Sequence, residues 1–270
     1  MTGSVVACWD GAVHRLWPVD RVSPGQTEVG VVDDTELEAL YAYPDGLDRA
    51  WTQVNFVSSA DGAVAVDGKS AGLSSPADKR IFALGRDLAD VVLVGWGTAR
   101  DEGYRGVKRT EVRTRRRTAL GLSAVPPIAV VTGRCSIGPD SPLLTDTLVP
   151  PIVVTTESAP TTRRAALVDA GADVVVAGDD RVDLAAALAA LSDRGLRRVS
   201  CEGGPTLFGD LIAADLVDQL CLTVAPLLAG GRERRIAVGA PPVAPARMEL
   251  ASVLAEDGFL MLRYRRGGAA

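Results

Sequence analysis

From Asp90 to about Phe208 the chain alternates short β-branched runs with helical stretches, and no other feature narrows the possible fold as much. The runs Asp90–Val94, Ile128–Thr132, Ile152–Thr156, Ala172–Val176 and Leu196–Ser200 read as strands; Thr162–Ala170, Leu184–Leu191 and the apolar run after Pro205 read as helices. Runs that are apolar without alternation suit strands covered on both faces. Strand and helix in turn imply an α/β domain with a largely parallel sheet and helices on its faces. The end of the chain breaks the rule. Asp218–Val224 is a further strand, and Met248–Leu254 and Phe259–Arg265 flank the turn Glu256-Asp257-Gly258, an antiparallel hairpin. The sheet is therefore mixed.

The first half is less regular. Residues 1–33 show no clear period, with Val29–Val32 a short strand. Thr35 is placed to cap a helix from Glu36 to about Ala42, with Glu38 completing a capping box. Trp51–Val57 reads as a strand ending in the turn Ser58–Gly62, followed by a brief strand Ala63–Val66 and a loop Lys69–Leu73. Ser74 or Ser75 caps the next helix, which has Pro76 just inside it and runs to about Arg86. Residues 105–117 carry seven basic side chains. They read either as a solvated, partly mobile loop or as a source of one or two phosphate-binding arginines. No linker or repeat divides the chain, so residues 1–49 are expected to form an arm packed on a domain spanning 50–270.

Composition excludes several functions. A net charge of −5 argues against nucleic acid as the main partner. No apolar run is long enough to span a bilayer, and Met1–Arg15 lacks the pattern of a signal peptide, so a cytoplasmic location is expected. The four cysteines form no C-x-x-C pair and His14 is the only histidine, which disfavours zinc and any histidine-based triad.

Cys201-Glu202-Gly203-Gly204-Pro205-Thr206-Leu207-Phe208 follows a strand and opens a helix. Glycines permit positive φ and close ligand approach. Pro205 suits the first helical position. The N–H groups of Thr206, Leu207 and Phe208 would then face outward, toward a phosphate. A plain strand-to-helix turn gives the same letters. Hydroxyl- or glycine-rich turns also end the strands at Ser58–Gly62, Gly95–Thr98 and Thr132–Arg134, along the sheet edge where α/β proteins bind ligands. No G-x-x-x-x-G-K-[ST] or early G-x-G-x-x-G occurs, so P-loop and ordinary Rossmann readings are disfavoured.

Three segments in order, Val54–Gly62, Gly95–Glu102 and Glu202–Leu207, resemble the reductase domain of the bifunctional riboflavin-biosynthesis deaminase/reductase. The likeness spans roughly residues 50–265. It implies a dihydrofolate-reductase-like three-layer α-β-α fold with a mixed, mostly parallel sheet. The zinc deaminase signature of the bifunctional members does not occur, so the chain looks like a stand-alone reductase. The resemblance implies NADPH as hydride donor. It assigns Gly203, Gly204, Pro205, Thr206, Leu207 and Phe208 to the pyrophosphate, Thr98 and Glu102 to the same groove, and Val57 and Gly72 to the nicotinamide end. Gly133 and Arg134 follow a central strand, where Arg134 either pairs with the 2′-phosphate or is an exposed loop arginine. For a pyrimidine ribose phosphate substrate the family pattern points to Ser70, Arg86, Arg105 and Glu202, although Arg86 also suits a helix C-terminus. Asp61 is the candidate proton-relaying group, or a cap on its own turn. A homodimer is implied as well. Dihydrofolate or another pteridine is the alternative substrate, and a non-catalytic NADP-binding sensor is the third reading.

Overall fold

The computed structural model describes residues 12–23 and 26–267, and Cys8 and the start of the expected N-terminal arm lie outside them. In chain order the elements are β1 (His14–Ser23), β2 (Gln26–Val31), α1 (Asp34–Tyr41), β3 (Trp51–Ser59), α2 (Pro76–Leu88), β4 (Val91–Gly95), α3 (Trp96–Asp101), α4 (Glu111–Ala119), β5 (Ile128–Val131), α5 (Pro142–Thr145), β6 (Ile152–Thr155), α6 (Thr161–Asp169), β7 (Asp173–Val176), α7 (Leu184–Asp193), β8 (Arg198–Cys201), α8 (Pro205–Ala213), β9 (Gln219–Ala225), β10 (Met248–Glu256) and β11 (Phe259–Arg266). They form one sheet in the order β2-β1-β10-β11-β9-β3-β8-β4-β5-β6-β7. From β9 through β7 every pairing is parallel; from β9 outward through β2 every pairing is antiparallel.

Alternation along the strands assigns the helices to faces. On β4, Val91 and Leu93 pack with α7 and α8, while Val92 and Val94 pack with α3, α5 and α6. Val92 is in register with Ser200, whose hydroxyl lies against Gly85 of α2, so α2 shares the second face. Leu37 and Tyr41 of α1 join α2 and the buried Cys221, Leu254 and Met261 beneath it. The result is three layers: α1–α6, the sheet, and α7–α8. No helix among the described residues is long and apolar enough to cross a membrane.

The structure changes several local expectations. The cap of α1 is Asp33, which accepts from the N–H of Glu36 at 2.8 Å, rather than Thr35. Ser75 is the α2 cap. Ala63–Val66 is not a strand; Val66 makes only an isolated bridge to Lys69. The stretch without clear period near the start contains β1, which extends the sheet beyond β10.

The largest difference concerns the basic run 105–117. Its second half is α4, a helix packed on α2. Arg117 is fully buried and donates to the carbonyls of Arg86, Asp87 and Ala89 at the C-terminal end of α2, and to Ser123. Those are carbonyls that a helix end leaves unsatisfied. Burial pushes the guanidinium down to about 10, which leaves it charged at neutral pH. Arg113 and Arg116 both pair with the buried Asp87, at 2.6 Å each. Replacing Arg117 with Met keeps much of the volume but strands these acceptors, at about 1–3 kcal/mol per buried group. A loss of roughly 3 kcal/mol or more and a Tm lower by roughly 6–12 °C are expected, measured by thermal unfolding. Arg115→Ala, on the exposed face of α4, should leave Tm unchanged.

Candidate functional site

The turn after β8 is fixed by backbone bonds to β4. Glu202 N–H donates to Leu93 O at 2.9 Å, and Gly95 N–H donates to Gly203 O at 2.7 Å. The two glycines serve different needs. Gly203 has φ +95°, and a Cβ there would lie 2.9 Å from the Phe56 ring. At Gly204 a Cβ would lie 2.1 Å from the Thr98 hydroxyl, so only glycine lets α3 approach the start of α8 this closely. The peptide between them is cis. Gly204 is the side-chain-free N-cap of α8, Pro205 follows, and the first turn carries no acidic residue. Thr206 and Leu207 therefore keep N–H groups without intrahelical acceptors. Phe208 does not: its N–H bonds Gly204 O at 3.0 Å, and its ring stacks on Phe56 at 5.2 Å between centroids. Its part is packing, not anion binding.

Gly204 and Pro205 open on a cleft of about 740 Å³. Val57, Ser70, Arg86, Thr98, Glu102, Arg105 and Glu202 all line it, so most of the residues singled out in sequence converge here. They do not all face it as free groups. Arg86, in the last turn of α2, grips Glu202 with two bonds, Nε to Oε1 at 2.6 Å and NH2 to Oε2 at 2.7 Å. The Tyr104 hydroxyl also donates to Oε2, at 2.6 Å. The Arg86 guanidinium lies 4.7 Å from the Phe82 ring centroid and 5.4 Å from that of Tyr104. Burial works against its charge, but the charge and hydrogen bonds of Glu202 outweigh that and raise the Arg86 pKa. Burial, reinforced by the Glu202 charge, raises the Tyr104 pKa well above the usual range, so its hydroxyl stays a donor. Arg86 is thus committed to a carboxylate instead of standing open for a phosphate. Ser70 and Glu102 are likewise joined, by Ser70 N–H and Oγ donating to Glu102 Oε1 at 3.2 and 3.0 Å. Arg105 and Lys108 both pair with Asp146 at the rim.

Asp61 requires a correction. It lines a separate pocket of about 430 Å³, with Gly230, Gly231 and Arg235. Its carboxylate accepts from Ser59 Oγ at 2.5 Å, Gly230 N–H at 2.7 Å and Ala229 N–H at 3.1 Å. These donors lower its pKa to about 2. A carboxylate so held has no proton to give at neutral pH. Gly72 does not line the main cleft, although its neighbours Ser70 and Ala71 do. Gly133 and Arg134 lie outside the cleft too, in the exposed turn after β5, where Thr156 Oγ1 donates to Gly133 O.

Sequence reasoning missed Tyr104, Phe82, Lys79 and Arg234, which also line the cleft. Phe82 stands four residues before Arg86, and that spacing alone puts both on one helix face. Tyr104 and Arg234 arrive through tertiary closure and carry no local signal.

The family described as the RibD C-terminal domain matches residues 50–258. The 2,5-diamino-6-ribosylamino-4(3H)-pyrimidinone 5′-phosphate reductase of Archaeoglobus fulgidus is 31% identical over 221 residues, 81% of this chain and 100% of that one. Its namesake from Methanothermobacter thermautotrophicus is 32% identical over 194 residues, 70% of this chain and 84% of that one. Among solved structures, a pyrimidine reductase-like protein from Corynebacterium diphtheriae superposes with a TM-score of 0.73 at 25% identity, covering 85% of this chain and 97% of the other. The riboflavin biosynthesis reductase of Saccharomyces cerevisiae shares the fold, with a TM-score of 0.59 at 18% identity, covering 83% and 92%. The chain belongs to the RibD C-terminal domain family of oxidoreductases and has a three-layer α-β-α fold with a mixed, mostly parallel sheet.

Proposed function

We propose that this protein reduces a 6-(5-phosphoribosylamino)pyrimidine to its ribitylamino product, with NADPH as the hydride donor. One observation carries the reading. An acid-free helix start, with open N–H groups beside the Thr98 hydroxyl, faces the same cleft as the buried Arg86–Glu202–Tyr104 cluster. Such a helix end suits a diphosphate, so Gly204, Pro205, Thr206, Leu207 and Thr98 would hold that part of NADPH. When bound, NADPH supplies the hydride. The remaining work falls to the chain's own residues. Val57 flanks the reacting end of the cleft. Glu202, locked by Arg86 and Tyr104, presents its remaining lone pairs to the N–H donors of a pyrimidine. Arg105, with Lys108, offers cations at the rim for a phosphate. The residues mainly bind and orient.

The substrate expected from sequence is 5-amino-6-(5-phosphoribosylamino)uracil. The named archaeal relatives act on the 2,5-diamino counterpart, which shares the sugar phosphate. The pteridine reading loses one of its two candidate carboxylates, because Asp61 is pinned outside the cleft. The homodimer reading has support in the sheet. Around β10, β11 and β1 no helix among the described residues covers the face opposite α1 and α2. Trp17, Val253 and Leu262 are in register across it, as are Ala255 and Leu260. Trp17 and Leu260 on this face are 49% and 37% exposed.

Absorbance at 340 nm should fall with NADPH and one or both phosphoribosylaminopyrimidines, and stay flat with dihydrofolate; the opposite pattern would sink this reading. Glu202→Gln should lower kcat/KM by roughly a hundredfold, about 3 kcal/mol, since it leaves Arg86 buried without its counter-charge. Gly204→Val should weaken NADPH binding by about ten- to a hundredfold, the worth of one charged hydrogen bond, in fluorescence titration. Leu260→Glu should convert a dimer to monomer in light scattering behind size exclusion.

A further inference from the structure

We infer that Arg234 is an anion-binding side chain of the cofactor site, serving the diphosphate beside the start of α8, and that Asp61 is its positioning residue. The inference rests on the proposed placement of NADPH at α8.

Arg234 belongs to the connection between β9 and β10, and that connection is pinned at both ends of a short strap. At one end Ala60 N–H donates to Leu227 O at 2.9 Å, and the Asp61 carboxylate accepts from the N–H groups of Ala229 and Gly230. At the other end Val238 N–H donates to Pro205 O, in the first turn of α8, at 3.0 Å. Gly209 makes that second pin possible: a Cβ on it would lie 2.0 Å from Val238 O. Gly230 and Gly231, at φ +65° and +76°, turn the chain from the first pin into the strap.

Between the pins the strap is a partition. Glu233 lines both the main cleft and the smaller pocket, Arg234 lines the main cleft, and Arg235 and Ile236 line the smaller pocket beside Asp61. Arg234 is therefore delivered to the same side as Gly204 and Pro205.

Charge accounting isolates Arg234 further. Six cationic residues line the cleft: Lys79, Arg86, Arg105, Lys108, Arg113 and Arg234. Arg86 is matched by Glu202 and Arg113 by Asp87, while Arg105 and Lys108 share the one carboxylate of Asp146 and leave a positive charge at that rim. Among the described residues Lys79 and Arg234 have no carboxylate within ion-pair distance. Lys79 sits on α2, not on the strap that bonds to α8. A helix start contributes only about half a unit charge, far short of a diphosphate, and Arg234 is the uncommitted cation on that side. Ionised Asp61 in turn fixes the loop that presents it.

The test is titration of NADPH and NADH into the full-length protein, followed by nicotinamide fluorescence, at low and high salt. Arg234→Gln should raise both dissociation constants by the same factor, about tenfold, with the gap narrowing at high salt. Arg234→Lys should recover part of the loss. Arg232→Gln, on the strap but lining neither cavity, should bind as wild type. Asp61→Asn should weaken binding and speed amide exchange at Ala229 and Gly230. Combining it with Arg234→Gln should add nothing beyond Arg234→Gln alone, because the loop would then have no charge to position. Wild-type binding with an unaffected Arg234→Gln variant overturns the inference alone. A loss confined to NADPH moves Arg234 to the 2′-phosphate and overturns the diphosphate assignment. Full additivity of the two substitutions removes the role given to Asp61. A wild-type protein that binds neither nucleotide overturns the cofactor reading itself.

Discussion

The contact on which the site depends is the two-pronged bond between Arg86 and Glu202. It joins the last turn of α2 to the residue just after β8, at the floor of the cleft. The Glu202 side chain is 1% exposed and that of Arg86 20%. At that depth neither charge is tolerable alone, and removing one partner of a buried pair costs about 3–5 kcal/mol. The pair is braced from both directions. Tyr104 holds the carboxylate, Phe82 and Tyr104 flank the guanidinium, and Arg117 grips the main chain at Arg86 itself. The neighbouring Asp87 ties α4 to the same point. Stability and site geometry are therefore one network at the C-terminal end of α2.

This network explains which parts of the molecule could be read from sequence. The parallel half of the sheet was legible because each strand is a short apolar run followed by a helix, a pattern set by burial on both faces. The Gly203-Gly204-Pro205 turn was legible because its residue types answer local demands of φ and close approach. Helix α4 was not. Its arginines look solvated when read by composition, and Arg117 is buried only because its acceptors are carbonyls some thirty residues away at the end of another helix. The strand β1 was hidden for a similar reason: its place is fixed by pairing with β10, near the other end of the chain.

The site shows the same division. Residues on strand ends and first helical turns converge as the motifs suggest, because the sheet brings its C-terminal ends to one edge. What sequence could not supply is which charges neutralise one another. Arg86 and Glu202 looked like two ligands for substrate and are first of all ligands for each other. Ser70 and Glu102 repeat the pattern. Asp61 looked like an acid because it follows a strand at the ligand edge; Ser59 and two N–H groups of the β9–β10 connection donate to it, and those donors make it a persistent anion.

A cleft arranged this way discriminates by leftover charge. Internal pairing removes most of its cations from play, so an anion entering it does not meet a diffuse positive field. A paired, hydrogen-bonded floor also cannot reorganise cheaply, since moving either Arg86 or Glu202 exposes the other as a buried charge. Rigidity at the floor then places the selective contacts at the rim and on the β9–β10 strap, where side chains are more exposed. Two anionic partners can share such a cleft without competing for one arginine, because its cations come from separate elements: Lys79 from α2, Arg105 and Lys108 from the segment before α4, and Arg234 from the β9–β10 strap.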